Sequence, residues 1–501
     1  MDLYRPILEK ALFPAFEAVR GRPTVPLLRY LRGSEYWSLD ELRDLQGGLL
    51  RRLIRHAYAH TAYYRELLAA RGLDPSDFHE PSDLRHLPLL DRDLVRESFD
   101  ARCATAPPRW VVKKATSGTT GTPVVVKYNA ESRHWRDATR WRGYGWAGYQ
   151  IGMRAMHYWG EPPASDSWVK RRKLAIDRRL KRDLYVDCIE RSDAALTHAA
   201  HEIERYEPQV IVAYAAGAAA LARFVNARGL RTWGEIPVIV GAERLWPHDR
   251  AEIAAAFGPA FETYGCREVM LIGAECEAHD GMHTSMENLV VEIVVREPGG
   301  TVRAARPGES GEVAITDLHN LACPMIRYIT GDIAVAQAET RCACSRSLTR
   351  IGPIEGRVTE TLHDGYGNAV GGLVFNVLIG VLDHVARNFQ VIQKNDGSVI
   401  MRVVPNLGDR LPERELRAVH DFAAKYLPGT RFRVEYVDKI PLTAAGKRKV
   451  VIVEKPGDEK PGDRVGESPV AVLESPPACE LVSAGGDSRQ AATGSGIPAT
   501  M

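Results

Sequence analysis

The sequence predicts an α/β protein in which a large domain with parallel strands precedes a smaller α+β domain. From residue 111 onward, short β-branched runs alternate with helical stretches, at the spacing of βαβ units in a doubly wound sheet. Beyond Arg357 the pattern changes to apolar strands around one long helix, which indicates a separate compact unit. A chain of 501 residues is long enough for two or three domains.

The N-terminal part is predicted to be helical. Between residues 42 and 90 the apolar residues recur on a helical period, and Gly72 interrupts them as a helix stop. The βαβ pattern is clearest further along the chain, where a helix that Ser192 or Asp193 could cap ends before Pro208. The segments after it alternate in type: a strand at 210–212, a helix at 218–225 and a strand at 237–240.

The C-terminal unit has its own pattern. Apolar strands at 391–392 and 400–404 flank a helix at 413–426, which the dipeptide Pro428-Gly429 closes. After Lys455 the composition shifts to Pro, Gly, Ser and acidic residues, with too little apolar content to offset the entropy of ordering. We therefore expect three regions: a large domain at 1–356, a small domain at 357–455 and a disordered tail at 456–501.

Composition excludes several classes of protein. Apolar residues make up 45% of the chain, which suits a large buried core, and a net charge of +2 gives no argument for nucleic acid or membrane as a partner. Charged residues interrupt the first twenty positions, as a secretory signal would not allow. Eight cysteines without a small-scaffold framework indicate a reducing compartment. We expect a cytoplasmic protein.

A hydroxyl-rich segment, residues 116–123, follows the strand-like run 110–112. Its sequence is Thr-Ser-Gly-Thr-Thr-Gly-Thr-Pro, in which two glycines allow the backbone to approach an anion and the hydroxyls add donors. The spacing is not that of a Walker-type phosphate loop. An ordinary polar hairpin turn is the alternative interpretation.

Three further motifs follow in order: Tyr-Gly-Cys-Arg-Glu at 264–268, Arg-Tyr-Ile-Thr-Gly-Asp at 327–332, and Pro-Leu-Thr-Ala-Ala-Gly-Lys at 441–447. Together with the segment 116–123, which resembles the superfamily's ATP phosphate loop, and with residues 53–64 and 87–90, they resemble the phenylacetate–CoA ligase branch of the adenylate-forming superfamily. The resemblance covers residues 42–453. It implies a large adenylate-forming domain with mixed and parallel sheets and a small, mobile C-terminal domain.

The resemblance also implies roles for individual residues. Glu268 would hold Mg²⁺, Asp332 would accept both ribose hydroxyls, and Lys447 would reach the carboxylate and α-phosphate during adenylation. Thr119, Glu268 and Lys447 would be the catalytic residues. The ATP-binding set would comprise Ser117, Gly118, Thr119, Thr120, Gly121, Thr122, Tyr264, Glu268, Asp332 and Arg357.

The chain departs from the superfamily pattern at three places. Val124 stands where many members have Lys, which is typical of this branch. Arg267 replaces the usual Thr or Ser, which leaves open whether the hydroxyl contact to phosphate is made. Thr359-Glu360 replaces the usual Asp-Asp at the hinge to the small domain, which leaves open which residue acts as the hinge.

Cysteine and histidine residues predict a structural zinc site. Three thiolates and one imidazole suit tetrahedral Zn²⁺, and a fully ligated ion has no open position for chemistry. Some members of the branch carry zinc at the matching positions. The expected ligands are Cys276, His283, Cys342 and Cys344, with His279 as the competitor of His283.

The predicted function is ATP-dependent activation of a carboxylic acid, with an aromatic or arylacetic acid expected, followed by transfer to CoA. The expected cofactors are ATP, Mg²⁺, CoA and structural Zn²⁺. The alternatives are transfer to an amine or to a carrier-protein thiol, and a degenerate nucleotide-binding protein. His157-Tyr158-Trp159 could line the acyl pocket or belong to the core. The identity of the acid, the acceptor, and whether the protein is a monomer or a homodimer are not readable from the sequence.

Overall fold

The computed structural model describes residues 4–107, 110–115, 124–160, 168–297, 299–357, 361–367, 369–371, 378, 382, 385–406, 408–441 and 450–454. Within these residues the chain forms the predicted α/β architecture, with one large mixed sheet, one four-stranded sheet and two two-stranded sheets. None of the described helices combines the length and hydropathy required to cross a bilayer.

The helices cluster at the N-terminus and between the strands. The described α-helices are α1 (Tyr4–Ile7), α2 (Phe13–Val19), α3 (Thr24–Ser34), α4 (Leu39–His60), α5 (Ala62–Ala70), α6 (Arg92–Glu97), α7 (Phe99–Arg102), α8 (Ala130–Trp146), α9 (Trp168–Lys181), α10 (Asp193–Tyr206), α11 (Ala215–Arg228), α12 (Pro247–Ala256) and α13 (Glu413–Tyr426). A π-helical turn (Leu8–Leu12) joins α1 to α2, and 3₁₀ turns occupy Pro75–Asp77 and Pro81–His86.

The strands are short, as is usual for buried sheets. They are β1 (Val111–Ala115), β2 (Val125–Asn129), β3 (Ala155–Tyr158), β4 (Asp183–Val186), β5 (Val210–Tyr214), β6 (Val238–Gly241), β7 (Ala260–Cys266), β8 (Met270–Glu275), β9 (Met282–Thr284), β10 (Leu289–Arg296), β11 (Val302–Ala304), β12 (Ser310–Asp317), β13 (Tyr328–Ala336), β14 (Arg350–Arg357), β15 (Thr361–His363), β16 (Ala369–Gly371), β17 (Ala386–Gln393), β18 (Val399–Pro405), β19 (Phe432–Tyr436) and β20 (Val451–Val453).

The large sheet has twelve strands in the order β11-β10-β12-β13-β14-β9-β8-β7-β6-β5-β3-β4. The half from β7 to β4 is parallel and carries α10, α11 and α12 in its crossovers, as the βαβ pattern predicts. The half from β11 to β8 is antiparallel. Because β7 pairs in parallel on one side and antiparallel on the other, it joins the two halves.

Helix boundaries follow the predicted capping signals. The Ser192 hydroxyl accepts a hydrogen bond from the Ala195 backbone N–H at 3.3 Å and caps α10. That helix ends at Tyr206, and the next residue, Glu207, has a left-handed backbone (φ 49°) immediately before Pro208. Helix α13 spans the predicted range, from Glu413 to Tyr426. These predictions are confirmed.

Two buried ion pairs fasten α8 to the antiparallel half of the sheet. The Arg142 guanidinium donates to both carboxylate oxygens of Glu287 at 2.6 and 2.9 Å, and Arg136 donates to Asp317 at 2.7 Å. All four side chains are buried. Because removing one partner of such a pair leaves an uncompensated charge, truncating either arginine costs ~3–5 kcal/mol.

The smaller sheet has the order β19-β18-β17-β20 and a separate apolar core. Its two central strands are antiparallel, and each edge strand pairs in parallel. Helix α13 contributes Val419 and Phe422 to this core. The arrangement is the α+β unit that the sequence pattern predicts.

Candidate functional site

Two of the predicted motifs, at 264–268 and 327–332, meet at strands β7 and β13. Tyr264 near the end of β7 donates a hydrogen bond to the Asp332 carboxylate on β13 at 2.9 Å, and its hydroxyl lies 3.1 Å from the Thr330 hydroxyl. Both Tyr264 and Asp332 are buried. Burial, with the Asp332 charge adding to it, raises the pKa of Tyr264 well above its ordinary value. Tyr264 therefore stays protonated and remains a donor.

Local backbone geometry explains the glycine next to Tyr264. The register between β7 and β8 shifts between Tyr264 and Gly265. A Cβ at Gly265 would lie 2.0 Å from the backbone oxygen of Met270, a distance that no side chain can occupy. Glycine is therefore required for the two strands to approach at this point.

Glu268 lies in the turn between β7 and β8. Its carboxylate is buried and accepts a hydrogen bond from the Tyr328 hydroxyl at 2.9 Å. Burial and, to a smaller extent, the negative charge of Glu268 raise the pKa of Tyr328. The phenol therefore remains the donor of this bond. The adjacent Arg267 is exposed, unlike the two residues after it. A fixed, buried carboxylate of this kind is suited to a hard cation.

Strands β1 and β2 contribute to the apolar cluster that contains Tyr264 and Tyr328. Ala115 pairs with Val125, so residues 116–124 connect the two strands. Val124 packs in the same apolar cluster as Tyr264 and Tyr328. The first described residue after the hydroxyl-rich segment therefore belongs to the same apolar cluster as residues of the other two motifs.

Several predicted site residues lie outside the described part of the chain. The backbone of Arg357 is described and pairs opposite Asp332, between β14 and β13, but its side chain is not described. Thr359-Glu360, the hydroxyl-rich segment and the lysine of the C-terminal motif fall outside entirely. The predicted residues affected are Ser117, Gly118, Thr119, Thr120, Gly121, Thr122 and Lys447.

The structure brings the four predicted metal ligands together. The ligand atoms of Cys276, His283, Cys342 and Cys344 all lie within 4.8 Å of one another. Within this cluster the sulfurs of Cys276 and Cys342 are 3.7 Å apart, and Cys344 Sγ is 3.3 Å from His283 Nε2. Cys276 follows β8, His283 lies on β9, and the two other cysteines lie in the loop between β13 and β14.

The histidine of the cluster is oriented for ligation. His283 Nδ1 lies 2.9 Å from the backbone oxygen of Leu348, which fixes the tautomer with Nε2 facing the sulfurs. Burial lowers the pKa of His283 to about 4, so the imidazole is neutral. His279 lies elsewhere: its Nδ1 is 3.2 Å from the Glu275 carboxylate, and its ring packs against Phe261. The structure thus groups His283, not His279, with the cysteines.

Sequence reasoning missed most residues at the carboxyl ends of the parallel strands. Glu243, after β6, accepts a hydrogen bond from the Ala216 backbone N–H at the start of α11, at 3.0 Å. Tyr214, the last residue of β5, packs on the Trp159 ring, with centroids 4.1 Å apart. Of the aromatic triplet, Tyr158 is core and His157 stacks on Tyr185. Ligands of open α/β sheets bind at the carboxyl ends of the strands. Applied to the predicted strands, that rule could have pointed to these residues from the sequence.

Arg92 is a further missed residue. It begins α6 and donates a hydrogen bond to the backbone oxygen of Thr330 at 3.2 Å. Leu90, two residues earlier, forms an isolated parallel bridge with Tyr328. This bridge holds the segment 87–90 of the resemblance against β13. The contact depends on tertiary structure, so no local pattern reveals it.

Comparison with known proteins extends these observations. Residues 364–454 match the family model described as the CapK C-terminal domain. A phenylacetate-coenzyme A ligase of Escherichia coli (strain K12) is 30% identical over 351 residues, which cover 65% of this chain and 73% of that protein. Another, from Thermus thermophilus, is 26% identical over 368 residues, covering 72% and 80% respectively.

The solved structure of a 2-hydroxyisobutyryl-CoA ligase in the postadenylation state superposes with a TM-score of 0.65, at 16% identity, over 84% of this chain and 91% of that chain. The matched CoA ligases, together with this fold, identify the chain as an adenylate-forming ligase. Within that class, the chain belongs to the phenylacetate–CoA ligase family. The resemblance that the motifs indicate is confirmed.

Proposed function

We propose that this protein activates an aromatic or arylacetic carboxylic acid with ATP, giving an acyl-adenylate and pyrophosphate, and then transfers the acyl group to CoA. It is thus an AMP-forming acid–thiol ligase. The observation that carries the proposal is the convergence of Tyr264, Asp332 and Glu268 beside the end of hairpin β1–β2. Family membership supports both half-reactions.

Asp332 is proposed to bind the ribose of ATP. An ionised carboxylate only accepts hydrogen bonds and has enough lone pairs for both hydroxyls of a diol. The Tyr264 hydroxyl already donates to Asp332 Oδ2 from one side and holds the carboxylate in place. Tyr264 also presents a buried ring at the end of β7, where the adenine would stack.

Glu268 is proposed as a ligand of Mg²⁺ on the ATP phosphates. The fit rests on its buried carboxylate, whose contact with the Tyr328 hydroxyl leaves acceptor capacity. Bound Mg²⁺ would neutralise phosphate charge. The hydroxyls and backbone N–H groups of 116–122, Thr119 among them, would hold the phosphates from the hairpin side.

An aromatic acid is proposed because the carboxyl edge of the parallel strands carries an aromatic pair. Trp159 follows β3, Tyr214 is the last residue of the neighbouring β5, and their ring planes meet at 49°. Two glycines adjoin them: a Cβ at Gly160 would lie 3.5 Å from Tyr214, and one at Gly241 would lie 2.7 Å from Thr263 Oγ1. Glycine at both positions allows the close packing around the two rings, and the proposed aromatic acid would contact the rings at this edge.

The small C-terminal unit is proposed to carry the catalytic lysine. In this proposal the chain divides into a domain at 1–356, a domain at 357–455 and a tail at 456–501, with Arg357 at the junction. Lys447 would balance the charge that develops at the α-phosphate as pyrophosphate leaves, and losing such a donor typically costs roughly 3–4 kcal/mol of barrier. Rotation of the small domain would then admit the thiol.

The Cys276–His283–Cys342–Cys344 cluster is proposed to bind one structural Zn²⁺. Three sulfurs and a neutral, oriented imidazole match the donor set of closed tetrahedral sites. A bound ion would cross-link β8, β9 and the β13–β14 loop and add its binding free energy to folding. His283→Ala should lose the metal and His279→Ala should keep it, and elemental analysis of both purified variants separates the two assignments.

A reducing cytoplasm is the expected location, because a zinc site with three thiolates and further free thiols requires one. A monomer or homodimer is expected. CoA is the proposed acceptor, whereas an amine or a carrier-protein thiol would give a different product from the same adenylate.

The test is carboxylate-dependent exchange of labelled pyrophosphate into ATP across a panel of aryl, arylacetic and alkyl acids. Exchange stimulated by aromatic acids supports the adenylation half-reaction and the acid class. If no acid stimulates exchange, the protein is instead a nucleotide-binding protein without adenylation activity. The mass of the product formed with CoA, and separately with amines, then identifies the acceptor.

A further inference from the structure

Two cysteines outside the proposed ATP and metal sites face each other. Cys103 follows α7 and Cys323 lies between β12 and β13, and their sulfur atoms are 3.5 Å apart although 220 positions separate them in the chain. Their backbones are tied together, because the Ala104 N–H donates to the Ala322 carbonyl at 3.0 Å. The approach of the two thiols is therefore fixed by the fold.

The surroundings of the pair are cationic. Arg102 is fully buried, and its Nη1 lies 3.7 Å from Cys323 Sγ and donates to the Pro324 carbonyl at 3.3 Å. Lys127 on β2 lies over the Phe99 ring, at 5.0 Å from its centroid. These two cations come from different elements, α7 and β2. A thiol in such surroundings is converted to the nucleophilic thiolate more readily than an isolated one.

The two cysteines differ in protonation: Cys103 favours the thiolate and Cys323 the thiol. A hydrogen bond with Cys323, together with the charges of Lys127 and Arg102, lowers the pKa of Cys103 to about 6 against the effect of partial burial. The hydrogen bond with Cys103 and its own burial raise the pKa of Cys323. Near neutral pH the pair thus holds one thiolate, which lies on the more exposed Cys103.

We propose that Cys103 and Cys323 form an oxidative modification site, at which a low-molecular-mass disulfide such as glutathione disulfide converts the two thiols to an internal disulfide. The Cys103 thiolate attacks one sulfur of the reagent, and the first glutathione leaves as a thiolate. Cys323 then attacks Cys103 in the mixed disulfide, its proton passes to the second departing glutathione, and the S–S bond forms. Two protein thiols are oxidised and one reagent disulfide is reduced to two thiols.

The geometry allows this bond with small movements. A disulfide needs sulfur atoms about 2.05 Å apart, and the present separation of 3.5 Å can close through side-chain rotation on tied backbones. The bond would connect the segment that leads into β1 with the segment that leads into β13.

The experiment uses the full-length, zinc-loaded protein, reduced, freed of reductant and treated with glutathione disulfide at pH 7. Peptide mapping without reduction should recover a linked Cys103–Cys323 peptide. Cys323→Ser should instead accumulate a glutathione adduct on Cys103, and Cys103→Ser should give neither product. Cys188→Ser, which changes a fully buried thiol, is the matched control and should behave as the unmodified protein.

Iodoacetamide labelling of Cys103, compared between Cys323→Ser and the unmodified protein, measures how much Cys323 lowers the pKa of Cys103. In the unmodified protein the labelling rate should reach half its maximum near pH 6 and exceed that of Cys188 by roughly tenfold or more. A linked peptide that forms only between other cysteines, or a Cys103 midpoint at the ordinary thiol value of about 8.5, would overturn the proposal. If either variant fails to fold, linkage in the unmodified protein alone decides.

Discussion

Asp332→Ala tests the proposed ribose contact most directly. The carboxylate is buried on β13 and would accept two ribose hydroxyls, so its loss leaves those hydroxyls without partners in a site shielded from water. Losing this acceptor should cost about 1–3 kcal/mol of ATP binding, which is a ~5- to 150-fold increase in Kd. Stability should change less, because the Tyr264 hydroxyl retains the Thr330 hydroxyl 3.1 Å away as a partner.

Titration calorimetry with ATP gives the Kd, and the thermal midpoint of the same sample reports the fold. Tyr264→Phe is the matched control: it removes the hydroxyl that orients Asp332 but keeps the carboxylate, so ATP affinity should change by less than about tenfold. An ATP Kd within twofold of the unmodified protein in Asp332→Ala, with the fold intact, would refute the ribose role.

Three further predictions address the lysine, the metal cluster and a buried carboxyl. Lys447→Ala should abolish most pyrophosphate exchange yet largely spare thioester formation from supplied acyl-adenylate, and equal losses in both assays would contradict the assignment. Replacing Cys342 and Cys344 together with serine should remove the zinc and lower the thermal midpoint more than it changes the preferred acid, whereas an unchanged zinc content by elemental analysis would argue against these ligands. Burial raises the pKa of Glu262 to about 7, so the folded state favours the neutral carboxyl. The stability that this protonation adds is full below the ordinary carboxyl pKa and is lost as pH rises to about 7. Glu262→Gln should remove about 3 kcal/mol of this pH dependence in denaturant titrations between pH 4.5 and 7, and an unaltered slope would exclude the effect.

Local signals in the sequence predict those parts of the fold that local physics determines. The cap at Ser192, the break at Pro208 and the span of α13 are set by neighbouring residues, and all three agree with the structure. The extent of the large sheet is not local. A single strand, β7, pairs in parallel with β6 and antiparallel with β8, and nothing within residues 260–266 specifies two kinds of neighbour.

The candidate site likewise combines residues that local motifs predict with residues whose positions depend on distant parts of the chain. Tyr264, Glu268 and Asp332 lie in motifs whose glycines and acids are recognisable, and the structure brings two of them into direct contact. Arg92 and Glu243 carry no motif of their own, because their positions depend on a bridge to a distant strand and on a contact across a crossover. The positions of such charged residues at the site can be recognised only in the folded structure.

The pairing of Asp332 with Arg357 has a mechanical consequence. Arg357 is the last residue of β14, so the chain leaves the large sheet one strand spacing, about 4.8 Å, from the carboxylate proposed to hold the ribose. A body that swings about a fixed point moves least close to that point and most at its far end. In the proposed function, rotation of the small domain about this point would move its far end through a wide arc, while a nucleotide bound at Asp332 would stay nearly still. The proposed nucleotide site and the proposed domain rotation are therefore compatible without any rearrangement of β13.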